Sequence, residues 1–288
     1  MNIFLCYQKV LRRFRLSDEW KKRKWKAYLW FLIKSRWVCN LDRLFKENSL
    51  DYVLVKHPFL YYSFRMHTFM KKGVGEQEIL QWLFEHYVRL HKVLGRKQVE
   101  ALFEEGVGLF SQVIGGHQIS VKLVYDHRMR FEGQLTLKLC LDDMEIYYIH
   151  FLLHRDQLWI GGLQGVAGMI ENNKVFTKIT SGLRPQNFLM FILFCFAQKH
   201  NISMIKAVSS SGHVYQNEMK SKEKIRFDYD AFWRELGGNE IKADSEWFQL
   251  SIRYPQKPLE EIKTKKRSLY RKRYALMEQI EHQLLEVS

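Results

Sequence analysis

Residues 188–197, FLMFILFCFA, are ten apolar side chains without a break. No face of such a segment tolerates water, so the element it forms must be covered on every side. Ten residues cannot span a bilayer, which takes about 20. The chain must therefore be built in layers around this segment. Just ahead lies TSGLRPQN, residues 180–187. Pro185 suits the first position of a helix, where a missing N–H costs nothing. Gly182 suits the turn before it. Together they predict a buried helix over 185–199. A helix start does not by itself require Arg184. Its guanidinium can fork a phosphate, and the N–H groups and dipole at a helix start favour an anion. The turn is thus a candidate anion site.

The flanks supply the layers. Strand ISMIKAVS (202–209) follows the helix after a short link at His200-Asn201, as in a β-α-β unit. Upstream, residues 117–163 read with period two. QISVKLVY, GQLTLKLC, EIYYIHFLL and QLWIGGL predict an antiparallel meander of four strands. Residues 1–110 read as helical. A basic and aromatic helix covers 18–38, Pro58 opens a second, a third runs from Glu76 to a glycine stop at Gly95, and a fourth ends at Gly106. DYDAFWRELGG (228–238) predicts a short helix capped by aspartate, and EWFQLSIRY (246–254) a last strand. A long helix over 259–286 is basic at its start and acidic at its end. That order opposes the helix dipole, so packing must compensate. The expected fold class is α+β, with a helical region over 1–110, a mixed sheet domain over 111–258 and a basic C-terminal helix over 259–288.

Net charge is +15 and unevenly placed. Residues 1–40 hold eleven basic side chains against two acids, and residues 256–274 hold eight against two, while the remainder is balanced. Basic ends around a neutral body attract polyanions. The expected partner of residues 9–37 and 257–274 is an anionic membrane surface or an acidic protein. Nucleic acid ranks last, because no helix-turn-helix, RRM or zinc module is legible. Cys6, Cys39, Cys140 and Cys195 form no CxxC pair, so no metal site or disulfide framework is expected. The first residues carry too short an apolar run for a signal peptide. The expected location is cytoplasmic, with contact at the inner membrane surface.

Two stretches carry candidate chemistry. Gly161, Gly162, Gln164, Gly165, Gly168, Lys178, Gly182 and Arg184 lie in one glycine-rich, basic run. Backbone there can approach a ligand closely, although glycine also serves plain sheet packing. VSSSGHVYQ (208–216) follows the second strand of the β-α-β unit, beyond whose carboxyl end ligands of open sheets bind. His213 is placed to act as a general base and Tyr215 as a general acid. The alternative is a polar surface loop.

HPFLYYSF, HYVRLHKVL, LWIGGLQG, TSGLRPQNFL, IKAVSSSGHVYQ, DYDAFWRELGG and KKRSLYRKRYALM, in that order, resemble the VirK/YbjX family of Gram-negative bacteria over about residues 20–285. The resemblance implies a role in virulence, envelope integrity and tolerance of antimicrobial peptides. It transfers no catalytic residue. The order of meander, glycine-rich loop, helix and parallel strand is also similar to GNAT-type acyltransferases. Those bind pyrophosphate at a helix start, which implies an acyl-CoA or acyl carrier donor near Gly182 and Arg184. The GNAT loop pattern is Gln/Arg-x-x-Gly-x-Gly/Ala. Gln164, Gly165, Val166, Ala167 and Gly168 depart from it, and residues 172–180 intervene before the main helix. Three readings follow: acyl-transfer-type chemistry, a non-catalytic peripheral membrane protein, and nucleic-acid binding.

Overall fold

The computed structural model describes residues 32–65, 68–215 and 227–286, with Phe4, Leu5, Gln8 and Leu29 ahead of them. Most of the basic 9–37 segment, and the greater part of the helix expected over 18–38, lie outside the described residues.

The helical part comprises α1 (Ser35–Glu47), α2 (Asp51–Lys56), a 3-10 turn (Pro58–Arg65) and α3 (Glu76–Ala101), with a two-residue ribbon of β1 (Thr68–Phe69) and β2 (Lys71–Lys72) between them. Gly95 sits inside α3 at φ 73°, so two helices meet there at a kink. The third and fourth expected helices are therefore one element broken at the expected glycine.

The sheet follows. β3 (Val107–Ile114), β4 (His117–Val124), β5 (Leu135–Leu141), β6 (Met144–His154) and β7 (Gln157–Gly165) form an antiparallel meander. Two helices, α4 (Ile170–Ile179) and α5 (Pro185–Lys199), cross back to β8 (Met204–Val208), which pairs parallel to β7 from Gln157↔Met204 to Ile160↔Ala207. Then come α6 (Tyr229–Glu235), β9 (Asn239–Glu240), β10 (Trp247–Leu250) and α7 (Thr264–Glu286). The eight-stranded mixed sheet has the order β3-β4-β5-β6-β7-β8-β10-β9. The meander holds five strands rather than four. The register of β3 shifts between Gly108 and Phe110, and that bulge breaks the alternation by which a strand is read from sequence.

Helix α5 is the buried element its composition demands. Every residue from Asn187 to Ala197 is buried. Phe188 meets Phe110 and Phe176, Phe196 meets Phe151, and Phe191 and Phe194 meet Tyr254 edge-on. Met277 and Ile280 of α7 are also fully buried. Asp228 caps α6 through Ala231 N–H at 3.0 Å, as expected. The adverse charge order of α7 is met at its far end, where Lys199 Nζ donates to Leu284 O at 3.0 Å. Among the described residues no helix is long and apolar enough to cross a membrane.

Candidate functional site

Pairing between β7 and β8 stops at Ile160 and Ala207, while β7 runs on to Gly165 beside β6. The strands part there, and their carboxyl ends define a cleft. Helix α6 fills it. The Tyr229 hydroxyl accepts from Leu163 N–H and donates to Leu163 O, both at 3.1 Å. Trp233 Nε1 donates to Val208 O at 2.8 Å, and Ser210 N–H donates to Asp230 at 2.7 Å. Backbone groups freed by the parting strands are thus satisfied by α6 side chains.

Three buried titratable groups gather in this cleft. His213 stacks on Tyr229 with ring centroids 5.0 Å apart. Its Nδ1 accepts from Tyr215 N–H at 3.4 Å, so its proton resides on Nε2. That nitrogen faces the Tyr229 hydroxyl at 3.4 Å and Glu132 Oε2 at 3.9 Å. Burial, and then the Lys72 charge, push His213 down to about 4. Burial pushes the Glu132 carboxyl up to about 8. At neutral pH the 3.9 Å contact therefore joins two neutral groups, with the proton held on Glu132. Such a pair can release the Glu132 proton just above neutrality and takes up a second proton only in acid.

The glycine pair of IGGLQG is explained by the same carboxyl. A methyl group on Gly161 would overlap the main-chain O of Glu132, and one on Gly162 would overlap Glu132 Oε2. Gly133 lies equally close to the backbone of Phe151. The segment 131–133 therefore lies flat on β6 and β7, and Met70 N–H ties it down through Phe131 O at 2.7 Å. Beside it, Gln164 Nε2 lies 3.3 Å from Met129 Sδ and 3.5 Å from His150 Nε2, and His150 Nδ1 is 3.0 Å from the Thr136 hydroxyl.

The turn before α5 forms a second feature. Ser181 and Gly182 are both left-handed, at φ 54° and 80°. Gly182 N–H donates to Thr177 O at 2.7 Å, which closes the end of α4. Arg273 of α7 donates to Ser181 O at 3.1 Å. The Gly182 amide is thus already used, and what the turn presents is cationic side chains. A pocket of about 620 Å³ opens here. Arg184, Arg234, Lys257 and Arg273 line it, against the single acid Glu235, with Tyr254 and Tyr270 among the walls. Arg184 bonds Asn187 Oδ1 at 3.0 Å and pairs with Glu235.

Gly182 and Arg184 therefore share a pocket, and His213 and Tyr215 share the cleft. The pocket is not lined by His213, Tyr215, Gln164, Gly165, Gly168 or Lys178. Tyr147 stands between the two features. It lies against Gly165, and its titration responds to Arg184 while it acts in turn on Tyr229. Gly168 is left-handed, and Lys178 is exposed on the last turn of α4. Glu132, Tyr229 and Arg273 escaped the sequence reading. They reach the site from a loop and two helices distant in sequence, and only an isolated acid before Gly133 hinted at the first. Among the described residues no cluster of His, Cys, Asp or Glu could hold a metal ion.

A mixed eight-stranded sheet, with polar groups gathered at the carboxyl end of its parallel pair, defines an α+β protein. The family described as "Protein of unknown function (DUF535)" matches residues 17–286, and the chain belongs to that family, the VirK/YbjX family. Escherichia coli (strain K12) has a relative, "Uncharacterized protein YbjX", that is 30% identical over 250 residues, 82% of this chain and 74% of the relative. A second relative, an uncharacterized protein of Haemophilus influenzae, is 27% identical over 217 residues, 74% of this chain and 72% of its own. No solved structure shows significant similarity to the chain.

Proposed function

We propose that the protein is an acyl-transfer-type enzyme on a GNAT-like sheet, taking an acyl-CoA or acyl carrier donor. One observation carries the reading: the crossover between the parallel strands β7 and β8 delivers the central helix into a pocket with four cations and one acid. Donor phosphates pair there with Arg184, Arg273 and Lys257. His213 and Glu132 handle the proton, with Tyr215 beside them. A donor arm lying along β7 takes Leu163 N–H and C=O from Tyr229, so binding requires α6 to yield. The family resemblance connects this chemistry to envelope integrity, antimicrobial-peptide tolerance and virulence, acting from the cytoplasm on an envelope precursor.

Thermal shift tests the reading. Acyl-CoA, acyl carrier protein or aminoacyl-tRNA is expected to raise Tm, and Arg184→Ala to abolish that rise. The Arg184–Glu235 pair is half exposed, so its loss is expected to cost under about 1 kcal/mol of stability. If none of the three donors moves Tm, the proposal fails. A large stability loss with donor binding intact would make Arg184 structural.

The second reading is peripheral attachment to anionic lipid. Lys265, Lys266, Arg271 and Lys272 are exposed along α7, with exposed Lys263 just ahead of it, and Leu269 among them is 42% exposed. Each lysine or arginine near an anionic surface contributes about 1 kcal/mol. Flotation is expected to recover the protein with anionic vesicles and not with neutral ones. Equal recovery from both eliminates this reading. For nucleic acid, the remaining alternative, an affinity insensitive to salt would be the contrary result.

A further inference from the structure

A second cavity, of about 590 Å³, lies away from the cationic pocket and shares no lining residue with it. Its walls come from the C-terminal half of α3, the bulged edge strand β3, helix α5 and the end of α7. Val93, Leu94, Leu109, Phe110, Ile192 and Phe196 make it apolar along most of its length. The end at α5 is different. Lys199 and His200 line it there. Arg89, one helical turn before Val93, donates to His200 O at 2.6 Å, yet its Nε is buried with no hydrogen-bond partner. Lys199 and His200 thus line one end of an apolar groove that no acidic side chain lines, and Arg89 stands behind His200, outside the lining. Asp156, whose carboxyl the Ser203 hydrogen bond and then the Arg89 charge hold down, and Glu281 both lie outside the lining.

We infer that this groove binds a long-chain fatty carboxylate, its hydrocarbon chain along α5 and β3 and its head at Lys199 and His200. The volume falls in the ordinary range for ligand sites, about 300–1,000 Å³. Apolar walls favour a chain of methylenes without specifying its length. The basic end selects an anionic head over a neutral one, because a charge-assisted hydrogen bond is about twice as strong as a neutral one. His200 already feels this crowding. Burial first, and then Lys199 and Arg89, push it down to about 4.

The test compares palmitate with hexadecanol, both below their aggregation limits, by displacement of a fluorescent fatty acid from the full chain. Palmitate is expected to bind saturably with one equivalent per chain. Hexadecanol is expected to bind about ten-fold more weakly. Val93→Trp fills the groove and is expected to abolish binding. Lys199→Glu is expected to weaken palmitate about ten-fold while leaving hexadecanol unchanged. Melting curves of both variants separate blocked binding from lost fold. Equal affinity for acid and alcohol overturns the inference, as does palmitate binding that Val93→Trp leaves intact. If no palmitate binds and Val93→Trp instead turns a dimer into a monomer, the groove belongs to a second copy of the chain. The donor test at Arg184 reads a different pocket, so either proposal can fail without the other.

Discussion

Acidification to about pH 5 is expected to unfold the protein, above the range in which most carboxylates titrate. Four buried histidines drive this. Burial holds His57, His86 and His150 down at about 3, and His213 at about 4. An unfolded histidine takes a proton near pH 6.5. Below that value the unfolded state binds protons that the folded state refuses. Each histidine then lowers stability by about 1.4 kcal/mol per pH unit until its folded value is reached. Glu132 runs the other way. Its folded value of about 8 lies above the ordinary carboxyl value of 4.5, so its stabilising protonation is complete in acid and lost as pH rises. Between pH 6.5 and 4.5 it offsets one histidine. Three remain, and at pH 5 they remove about 6 kcal/mol, on the order of a whole domain's stability. Stability should therefore peak near pH 6.5, with Glu132 eroding it above and the histidines below. Tryptophan fluorescence between pH 4 and 9 reads both limbs. Glu132→Gln should flatten the alkaline limb and leave the acid limb in place. A cooperative fold persisting at pH 4 would refute the account.

What was legible in the sequence was whatever local chemistry decides. The run 188–197 admits one environment, and α5 has it. Pro185 and Gly182 fix the turn, and Asp228 caps its helix. The period change at 117–163 marked the sheet. What escaped depends on contacts between distant segments. A bulge at Gly108/Phe110 hid β3. Gly161 and Gly162 of IGGLQG looked like room for a ligand, whereas they lie under Glu132, about thirty residues earlier in the chain. Arg184 looked like a free anion clamp, and it is paired with Glu235 of α6. His213 stood out in the sequence as a titratable residue after a strand, while its neighbours Glu132 and Tyr229 are set by the parting of β7 and β8. No periodicity encodes that geometry. The sequence offered His213 and Arg184 as candidates, and tertiary packing decided that they meet Glu132, Tyr229 and Glu235.

Gly162→Ala is expected to destabilise the protein by about 3 kcal/mol, at the upper end for overpacking, because the new methyl overlaps Glu132 Oε2 in a site closed on both sides. The loss should be conditional on that carboxyl. Glu132→Ala removes the colliding atoms and leaves only its own β-carbon, 3.3 Å from the new methyl. The double variant should therefore recover most of the loss, with a coupling of at least about 1 kcal/mol between neighbours in contact. Gly161 provides the contrast. A methyl there meets the main-chain O of Glu132, which no side-chain substitution removes. Gly161→Ala should be at least as damaging, and Glu132→Ala should not rescue it. Urea unfolding of the five single and double variants measures both cycles. Additive losses at Gly162 would mean that the carboxyl moves aside freely and that the glycine serves something else. If Gly162→Ala were as stable as the wild type but failed to bind an acyl donor, the glycine pair would belong to the ligand. Rescue by Glu132→Ala assigns it instead to the buried proton holder beside His213.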